Sequence, residues 1–186
     1  NTPTFSRSIP AEDATWNDRS LTFNGSDEYM TVPLTLPVDN YTISSWVKWD
    51  STNTALSYWF DNRDGSNADA IAVYFEESGG SIGARVYHSQ DTVISTAYDM
   101  DVDVWVHLAL VKDGVTFNLY KNGVLWVTDA GNDNSANGGT LVLGTRYSIA
   151  HYFKGEIDEV AIFDSVLSPS QVLQIYNGGK PASLKE

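Results

Sequence analysis

The fold is decided by residues 105–128, which read WVHLALVKDGVTFNLYKNGVLWVT. The run from Val104 to Lys112 is apolar on both faces, as expected of a strand buried between two layers. Two further β-type runs, residues 117–120 and 125–128, flank the dipeptide Asn122-Gly123, which supplies the positive φ values of a type I′ turn. This stretch predicts a central strand followed by a β-hairpin.

Similar β-type segments lie on both sides of this stretch, with Asn, Asp and Gly clusters between them. Ser168 and Pro169 are typical of a helix N-terminus, and the helix is expected to end near residues 177–179. About a dozen short strands, one C-terminal helix and no alternation of strands with helices predict an all-β, two-sheet antiparallel jelly-roll sandwich. Residues 41–49, 71–76 and 82–87 alternate with the period of a strand, and residues 141–145 and 155–163 supply two more strands.

Composition limits the function classes. A chain of 186 residues with 42% hydrophobic content predicts one domain, residues 1–177, followed by a linker-like tail, residues 178–186. A formal charge of −13 repels phosphate backbones and anionic lipids, which argues against nucleic acid as a partner. No apolar run approaches ~20 residues, so we expect no membrane insertion. The chain has no cysteine, which excludes thiolate chemistry and disulfides.

Several segments, taken in order, resemble the laminin G-like/pentraxin branch of the concanavalin A-like lectin/glucanase superfamily. The resemblance spans roughly residues 20–177, and it implies a sandwich that binds glycans or proteins, often with calcium, within a larger extracellular or virion protein. The segments are residues 20–33 (SLTFNGSDEYMTVP), 41–48 (YTISSWVK), 105–114 (WVHLALVKDG), 119–124 (LYKNGV), 143–144 (LG) and 153–169 (FKGEIDEVAIFDSVLSP).

Residues 155–159, GEIDE, resemble the catalytic strand of laminarinase-type glycosidases, which use two glutamates as nucleophile and acid/base. Glu156 and Asp158 are expected on one strand face, with Glu159 on the opposite face. The position of the second glutamate holds Val160 or Ala161. The acid/base is missing, so we expect no enzymatic activity, and β-glucan hydrolysis is the least favoured alternative.

Calcium is the expected cofactor, because two clusters carry the carboxylate and amide oxygens that this ion prefers. In the first, Asp61 and Asn62 resemble the pentraxin Asp-Asn calcium pair, and Asp64 is nearby in sequence. The second places Asn24 and Asp27 beside Asp158, provided that the first and last strands are adjacent. The alternative for either cluster is a turn whose side chains bind their own backbone.

Exposed aromatic rings are the other predicted binding feature. His107, on a central strand, is expected to be a core histidine, and Trp46, Trp105, Phe117 and Phe163 are expected in the core. Arg85 and Arg146 are candidates for hydrogen bonds to sugar hydroxyls or carboxylates. The candidate stacking residues are Trp59, Tyr74, Tyr87, Tyr147 and Tyr152.

The sequence therefore predicts a non-catalytic, calcium-assisted carbohydrate-binding or adhesion module of an extracellular, secreted or virion-surface protein. Its expected partner is a glycan or cell-surface polysaccharide. The alternative is a structural or protein-interaction domain of a phage fibre or capsid assembly, with protein partners.

Overall fold

The structure is a computed structural model that describes residues 20–53, 56–63, 71–78, 81–88, 92–95, 97–130 and 139–178. Within these residues lie twelve strands and one helix. Their bounds are β1 Leu21–Asn24, β2 Met30–Pro33, β3 Asn40–Trp49, β4 Ser57–Asp61, β5 Ala72–Ser78, β6 Ser81–His88, β7 Thr92–Ser95, β8 Val106–Asp113, β9 Thr116–Lys121, β10 Val124–Ala130, β11 Thr140–Leu143, β12 Lys154–Phe163 and α1 Pro169–Gly178.

The strands form two six-stranded antiparallel sheets, which confirms the predicted sandwich. The first sheet has the order β1-β12-β3-β8-β9-β10, and the second has the order β2-β11-β4-β5-β6-β7. Strand β8 lies inside the first sheet, and its residues from Val106 to Lys112 are all buried, as their composition predicts. Asn122 and Gly123 have φ values of 51° and 77°, so the type I′ turn expected between β9 and β10 is present.

The core lies between the inner faces of the two sheets. Trp49, Phe75 and Phe153 meet there edge-on or tilted, with ring centroids 5.0 to 6.1 Å apart. Edge-to-face contacts of this kind add to the free energy gained from burying the rings. Trp46, Trp105 and Phe117 are also buried, as predicted, whereas Phe163 is half-buried.

Helix α1 covers part of the outer face of the first sheet. Ser168 caps it, since the Gln171 amide donates to Ser168 Oγ at 3.3 Å and the Ser168 amide donates to Gln171 Oε1 at 2.8 Å. Val172 packs with Ala109 and Val111 of β8 in a second, smaller apolar cluster. Among the described residues, no helix has the length and apolar character needed to cross a lipid bilayer.

Strand β12 contains a bulge. Asp158 pairs with Trp46 and Ala161 pairs with Ser44, so β12 has one extra residue there. Glu159 takes up the extra length with a φ of 52°, in the left-handed region. The bulge brings Glu159 to the same outer cavity as Trp46 and Ser44. The expectation that Glu159 faces the opposite side is therefore wrong, because it assumed unbroken alternation.

Candidate functional site

The outer face of the second sheet carries a row of polar aromatic residues. In β5, Val73 and Phe75 belong to the core, so Tyr74 between them points outward. Tyr74 pairs with Tyr58 of β4 on one side and with Arg85 of β6 on the other. The rings of Tyr58 and Tyr74 lie 5.0 Å apart at an angle of 32°. The antiparallel register therefore sets two phenols and a guanidinium side by side.

Arg63, just after β4, lies at the centre of this surface. Its guanidinium carbon lies 4.4 Å from the ring centroid of Tyr87, 5.3 Å from that of Tyr147 and 5.5 Å from that of Tyr58. All three distances are within the range of cation–π attraction. Arg63 therefore holds rings from β4, β6 and the loop after β11 in one cluster.

Asp61 fixes the position of Arg63. Asp61 is 0% and Arg63 7% exposed, and Arg63 donates from Nε to Asp61 Oδ1 at 2.9 Å and from Nη2 to Asp61 Oδ2 at 2.6 Å. Burial lowers the pKa of Arg63, but the hydrogen bonds and charge of Asp61 outweigh burial and raise that pKa above its ordinary value. The Tyr147 amide also donates to Asp61 Oδ2, at 3.1 Å. Asp61 thus ties the arginine and the Tyr147 loop together.

Arg85 is held by a separate network on the same face. Its Nε donates to the carboxylate of Glu76, and its Nη2 donates to Tyr98 Oη at 3.3 Å. The Tyr98 hydroxyl donates in turn to Glu76 at 3.2 Å. Burial raises the pKa of the neighbouring Tyr74, so its phenol is protonated at neutral pH. Tyr74 therefore presents a neutral donor beside an arginine whose charge is balanced by Glu76.

Arg146 and Tyr147 come from the turn between β11 and β12. The turn is closed by the Arg146 amide donating to the Ala150 carbonyl at 3.1 Å and the Ile149 amide donating to the Arg146 carbonyl at 2.8 Å. The guanidinium carbon of Arg146 lies 5.2 Å from the Tyr147 ring centroid. Both side chains are half-buried.

We call this surface the tyrosine–arginine face. Five arginines occur in the sequence, and all three that the structure describes lie on it. The concentration is notable in a chain with a net charge of −13, because cationic groups are scarce elsewhere. The face is defined by Tyr58, Tyr74, Tyr87, Tyr147, Arg63, Arg85 and Arg146.

The structure brings together five of the seven ligand-binding residues expected from sequence: Tyr74, Arg85, Tyr87, Arg146 and Tyr147. Tyr152 lies apart from them and packs on Tyr29, with ring centroids 6.5 Å apart.

Trp59 was expected to be exposed, and this is wrong. It is 0% exposed in the core, and its Nε1 donates to Ser45 Oγ at 2.8 Å. A register shift between Tyr58 and Phe60 turns Trp59 inward.

Sequence reasoning missed Tyr58 and Arg63. The available signal was the Asp61-x-Arg63 spacing, since residues two apart on an extended chain share a side. The Arg63 amide and Nε both donate to Asp61 Oδ1, each at 2.9 Å, which shows how closely the spacing couples the two residues.

The first expected calcium cluster does not fit the ion within the described residues. Both carboxylate oxygens of Asp61 accept hydrogen bonds from the Arg63 guanidinium, a fixed positive charge that opposes a second cation. Asn62 is buried, and its Nδ2 donates to the Thr140 carbonyl at 2.9 Å. Asp64 lies outside the described residues.

The second expected cluster is not assembled. Strands β1 and β12 do pair, as predicted, but Asn24 lies opposite Lys154. Asp158 is four residues further along β12, roughly 13 Å away at the usual rise of a strand. Asn24 Nδ2 donates to Asp27 Oδ1 at 2.7 Å, and Asn24 Oδ1 accepts the Ser26 amide at 2.8 Å. Residues 24–27 therefore form a turn whose side chains hydrogen-bond within the turn, which the sequence offered as the alternative to a calcium site.

No group of three or more His, Cys, Asp or Glu side chains able to hold a metal ion occurs in the part of the chain that the structure describes.

The outer face of the first sheet has a cavity of about 250 Å³ beneath α1, lined by Ser44, Trp46, His107, Glu159, Ala161, Ile175 and Gly178. His107 is 1% exposed, as expected of a core residue, and its Nε2 shares a hydrogen bond of 2.9 Å with Ser44 Oγ. Its Nδ1 is buried, and the described residues give it no hydrogen-bond partner. Burial lowers the pKa of His107 to about 4, so the ring is neutral at physiological pH.

Glu156 lies on this same outer face. It accepts hydrogen bonds from the Ser20 hydroxyl and from Lys48 Nζ, the latter at 3.1 Å. Burial raises the pKa of Glu156, but the bonds from Ser20 and Lys48 outweigh burial and lower it overall. The carboxylate is therefore held in its ionised form.

Comparison with solved structures gives relatives of the same fold. A SAP-like pentraxin from Limulus polyphemus is 20% identical, with a TM-score of 0.70 and coverage of 89% of this chain and 84% of the pentraxin. Domain 4 of AbnA, an extracellular arabinanase from Geobacillus stearothermophilus, in complex with arabinotriose, is 23% identical, with a TM-score of 0.62 and coverage of 84% and 76%. The CBM40 of a Ruminococcus gnavus IT-sialidase, bound to α2,3 sialyllactose, is 19% identical, with a TM-score of 0.58 and coverage of 75% and 83%.

A comparison with curated protein sequences gives no match. The sequence model of the Laminin_G_3 family, described as concanavalin A-like lectin/glucanases superfamily, matches residues 24–173, which is most of the chain. This match agrees with the two-sheet topology and with the pentraxin likeness. The chain belongs to the concanavalin A-like lectin/glucanase superfamily, in its laminin G-like family.

Proposed function

We propose that this chain is a non-catalytic carbohydrate-binding domain and that the tyrosine–arginine face is where it holds glycan. One observation carries the proposal: four tyrosines and every described arginine lie together on one outer sheet face. Aromatic rings stack on the apolar faces of sugars, and phenols and guanidinium groups donate to hydroxyls. An extended sheet face suits a polysaccharide, because successive sugars can contact successive strands.

The rigidity of the face supports this role. Asp61 and Glu76 fix Arg63 and Arg85, and the rings pack on the fixed guanidinium of Arg63. Side chains that are ordered before binding lose less conformational entropy when a ligand arrives.

The solved relatives support a sugar ligand. Two of them are described with a bound oligosaccharide, arabinotriose in one and α2,3 sialyllactose in the other. One of these is a domain of an extracellular enzyme. We accordingly place this domain in an extracellular or virion-surface protein, where it meets polysaccharide.

The surroundings of Glu156 support a non-catalytic role. In the motif that residues 155–159 resemble, Glu156 stands where the nucleophile would be, and a retaining glycosidase also needs a second carboxyl with a raised pKa as acid/base. Despite burial, the hydrogen bonds from Ser20 and Lys48 lower the pKa of Glu156, so Glu156 does not itself supply that acid. The position of the second glutamate holds Val160 or Ala161.

The test is a glycan array followed by titration calorimetry on the best ligand, with Tyr74→Ala as the test variant. Loss of one stacking ring is expected to weaken binding about ten-fold. Tyr176→Ala is the matched control, because Tyr176 is a half-buried tyrosine on the opposite side of the sandwich, beside Trp46. Thermal melts establish that both variants are folded.

If Tyr74→Ala and the wild type bound the glycan with equal affinity, the proposal that this face is the binding site would be refuted. If the folded wild type bound no glycan on the array, the lectin function would be refuted. The structural or protein-interaction role in a fibre or capsid assembly would then be favoured.

A further inference from the structure

The three arginines of the tyrosine–arginine face differ in one respect: within the described part of the chain, two have a carboxylate partner and the third has none. Arg63 binds Asp61, and Arg85 binds Glu76. No described carboxylate pairs with Arg146, and its Nε is buried and without a hydrogen-bond partner. A half-buried guanidinium without a counterion is costly, because burial weakens its hydration and the contact with the Tyr147 ring replaces that hydration only in part.

We infer that the glycan bound by this face is anionic and that Arg146, set beside the tyrosine rings and paired with no carboxylate among the described residues, binds the carboxylate or sulfate group of the glycan. The inference rests on the proposed function and names the chemical class of its ligand. Because Nε of Arg146 is sealed from solvent, the two Nη nitrogens are the donors left for the oxyanion. A planar guanidinium donating two parallel hydrogen bonds is the preferred partner of such a group.

The position of Arg146 favours a sugar over a free anion. Its guanidinium carbon lies 5.2 Å from the Tyr147 ring centroid, and Tyr147 also contacts Arg63, which contacts Tyr58 and Tyr87. A sugar stacked on these rings therefore places an equatorial or exocyclic acidic group within reach of the free guanidinium. A bare anion would gain nothing from the rings.

The overall charge of −13 does not prevent this. At physiological ionic strength, charges more than about 8–10 Å away are largely screened, so the groups on the face decide the local field. Among the described residues, the face carries three arginines and two carboxylates, Asp61 and Glu76. The local balance of the described residues on this face is therefore positive.

The test compares galacturonan oligosaccharides with their carboxyl-reduced, neutral counterparts by titration calorimetry, and a sulfated galactan distinguishes sulfate from carboxylate. We expect the wild type to bind one of the acidic forms ten- to hundred-fold more tightly than the neutral form, the gain typical of a charged hydrogen bond. Arg146→Gln is expected to weaken acidic binding far more than neutral binding and thereby to abolish that difference. Sodium chloride is expected to weaken acidic binding only.

Lys121→Gln is the matched control, since it also removes one positive charge but lies on the first sheet beside Asp99 and Trp126. It is expected to leave the acidic preference intact. An equal loss in both variants would assign the effect to net charge and overturn the inference. So would an Arg146→Gln protein that keeps the preference, or a wild type that favours neutral sugars or binds none of these probes.

The two proposals fail differently. A wild type that binds only neutral glycans on the array, with Tyr74→Ala weakened, refutes the anionic ligand and leaves the glycan-binding function standing. A wild type that binds no glycan of any kind refutes both.

Discussion

Replacing Asp61 by Asn tests the electrostatic centre of the proposed site. The change keeps the size of the side chain but removes the charge that faces Arg63. Asp61 is 0% exposed, so no water replaces the lost carboxylate. An amide also presents an NH₂ group where one oxygen accepted a bond, and it therefore opposes a donor on Arg63 or Tyr147.

The expected cost follows from the burial of the pair. Removing one partner of a buried ion pair typically destabilises a protein by about 3–5 kcal/mol, because the remaining charge is left in a poor solvent. For a chain of this size, such a loss lowers Tm by roughly 10 °C. Asp27→Asn, in an exposed turn, is the control and is expected to cost less than about 1 kcal/mol.

The assay is urea unfolding of each variant, run once with calcium and once with chelator. We expect the same loss for Asp61→Asn in both buffers, and partial recovery when Arg63→Met is added, since the unpaired charge is then gone. A loss below about 1 kcal/mol would refute the argument that this pair is a buried electrostatic unit. A loss confined to the calcium buffer would show that Asp61 is a calcium ligand.

Two further predictions concern stability. Above pH 6.5 the His107 ring is neutral in both the folded and the unfolded protein. As the pH falls, the ring is protonated near pH 6.5 in the unfolded chain but stays neutral in the folded protein, where its pKa is about 4. The free energy of unfolding is therefore expected to fall by about 2 kcal/mol from pH 7 to pH 5, measured by urea titration, and His107→Gln is expected to remove that slope; an unchanged slope would contradict the assignment. A Cβ at Gly155, where φ is 144°, would lie 2.1 Å from the Lys48 carbonyl oxygen, so Gly155→Ala is expected to cost roughly 2–4 kcal/mol in the same assay. The unobstructed Gly139→Ala is expected to change the free energy of unfolding by less than about 0.5 kcal/mol, and equal effects would contradict the steric argument.

Features encoded by neighbouring residues could be read from the sequence. The turn at Asn122-Gly123 needs positive φ at two adjacent positions, and few residue pairs other than Asn-Gly supply them readily. The helix start at Ser168 depends on hydrogen bonds within four residues. Such elements are determined locally, so tertiary structure confirms them without changing them.

Features that depend on strand register could not be read in this way. The adjacency of β1 and β12 was foreseen, but the pairing of Asn24 with Lys154, which keeps Asp27 away from Asp158, was not. Polar and aromatic residues flank Trp59 in the sequence, which suggested an exposed ring. The register shift in β4, which the sequence does not reveal, turns the side chain of Trp59 into the core. Arg63 was missed because its three ring partners come from separate segments.

The position of β12 inside the first sheet has a consequence for the synthesis of this protein. Among the described strands, β12 pairs with the edge of β3 that β8 leaves open, and β12 also joins β1 to the sheet. A ribosome therefore releases more than a hundred residues, several aromatic core strands among them, before the strand that closes the sheet emerges. Until then the nascent chain exposes an open strand edge, which is prone to pair with other chains. Completion of this sandwich is consequently a late, cooperative step, and a chain that stops before residue 154 lacks the strand that joins β1 to β3.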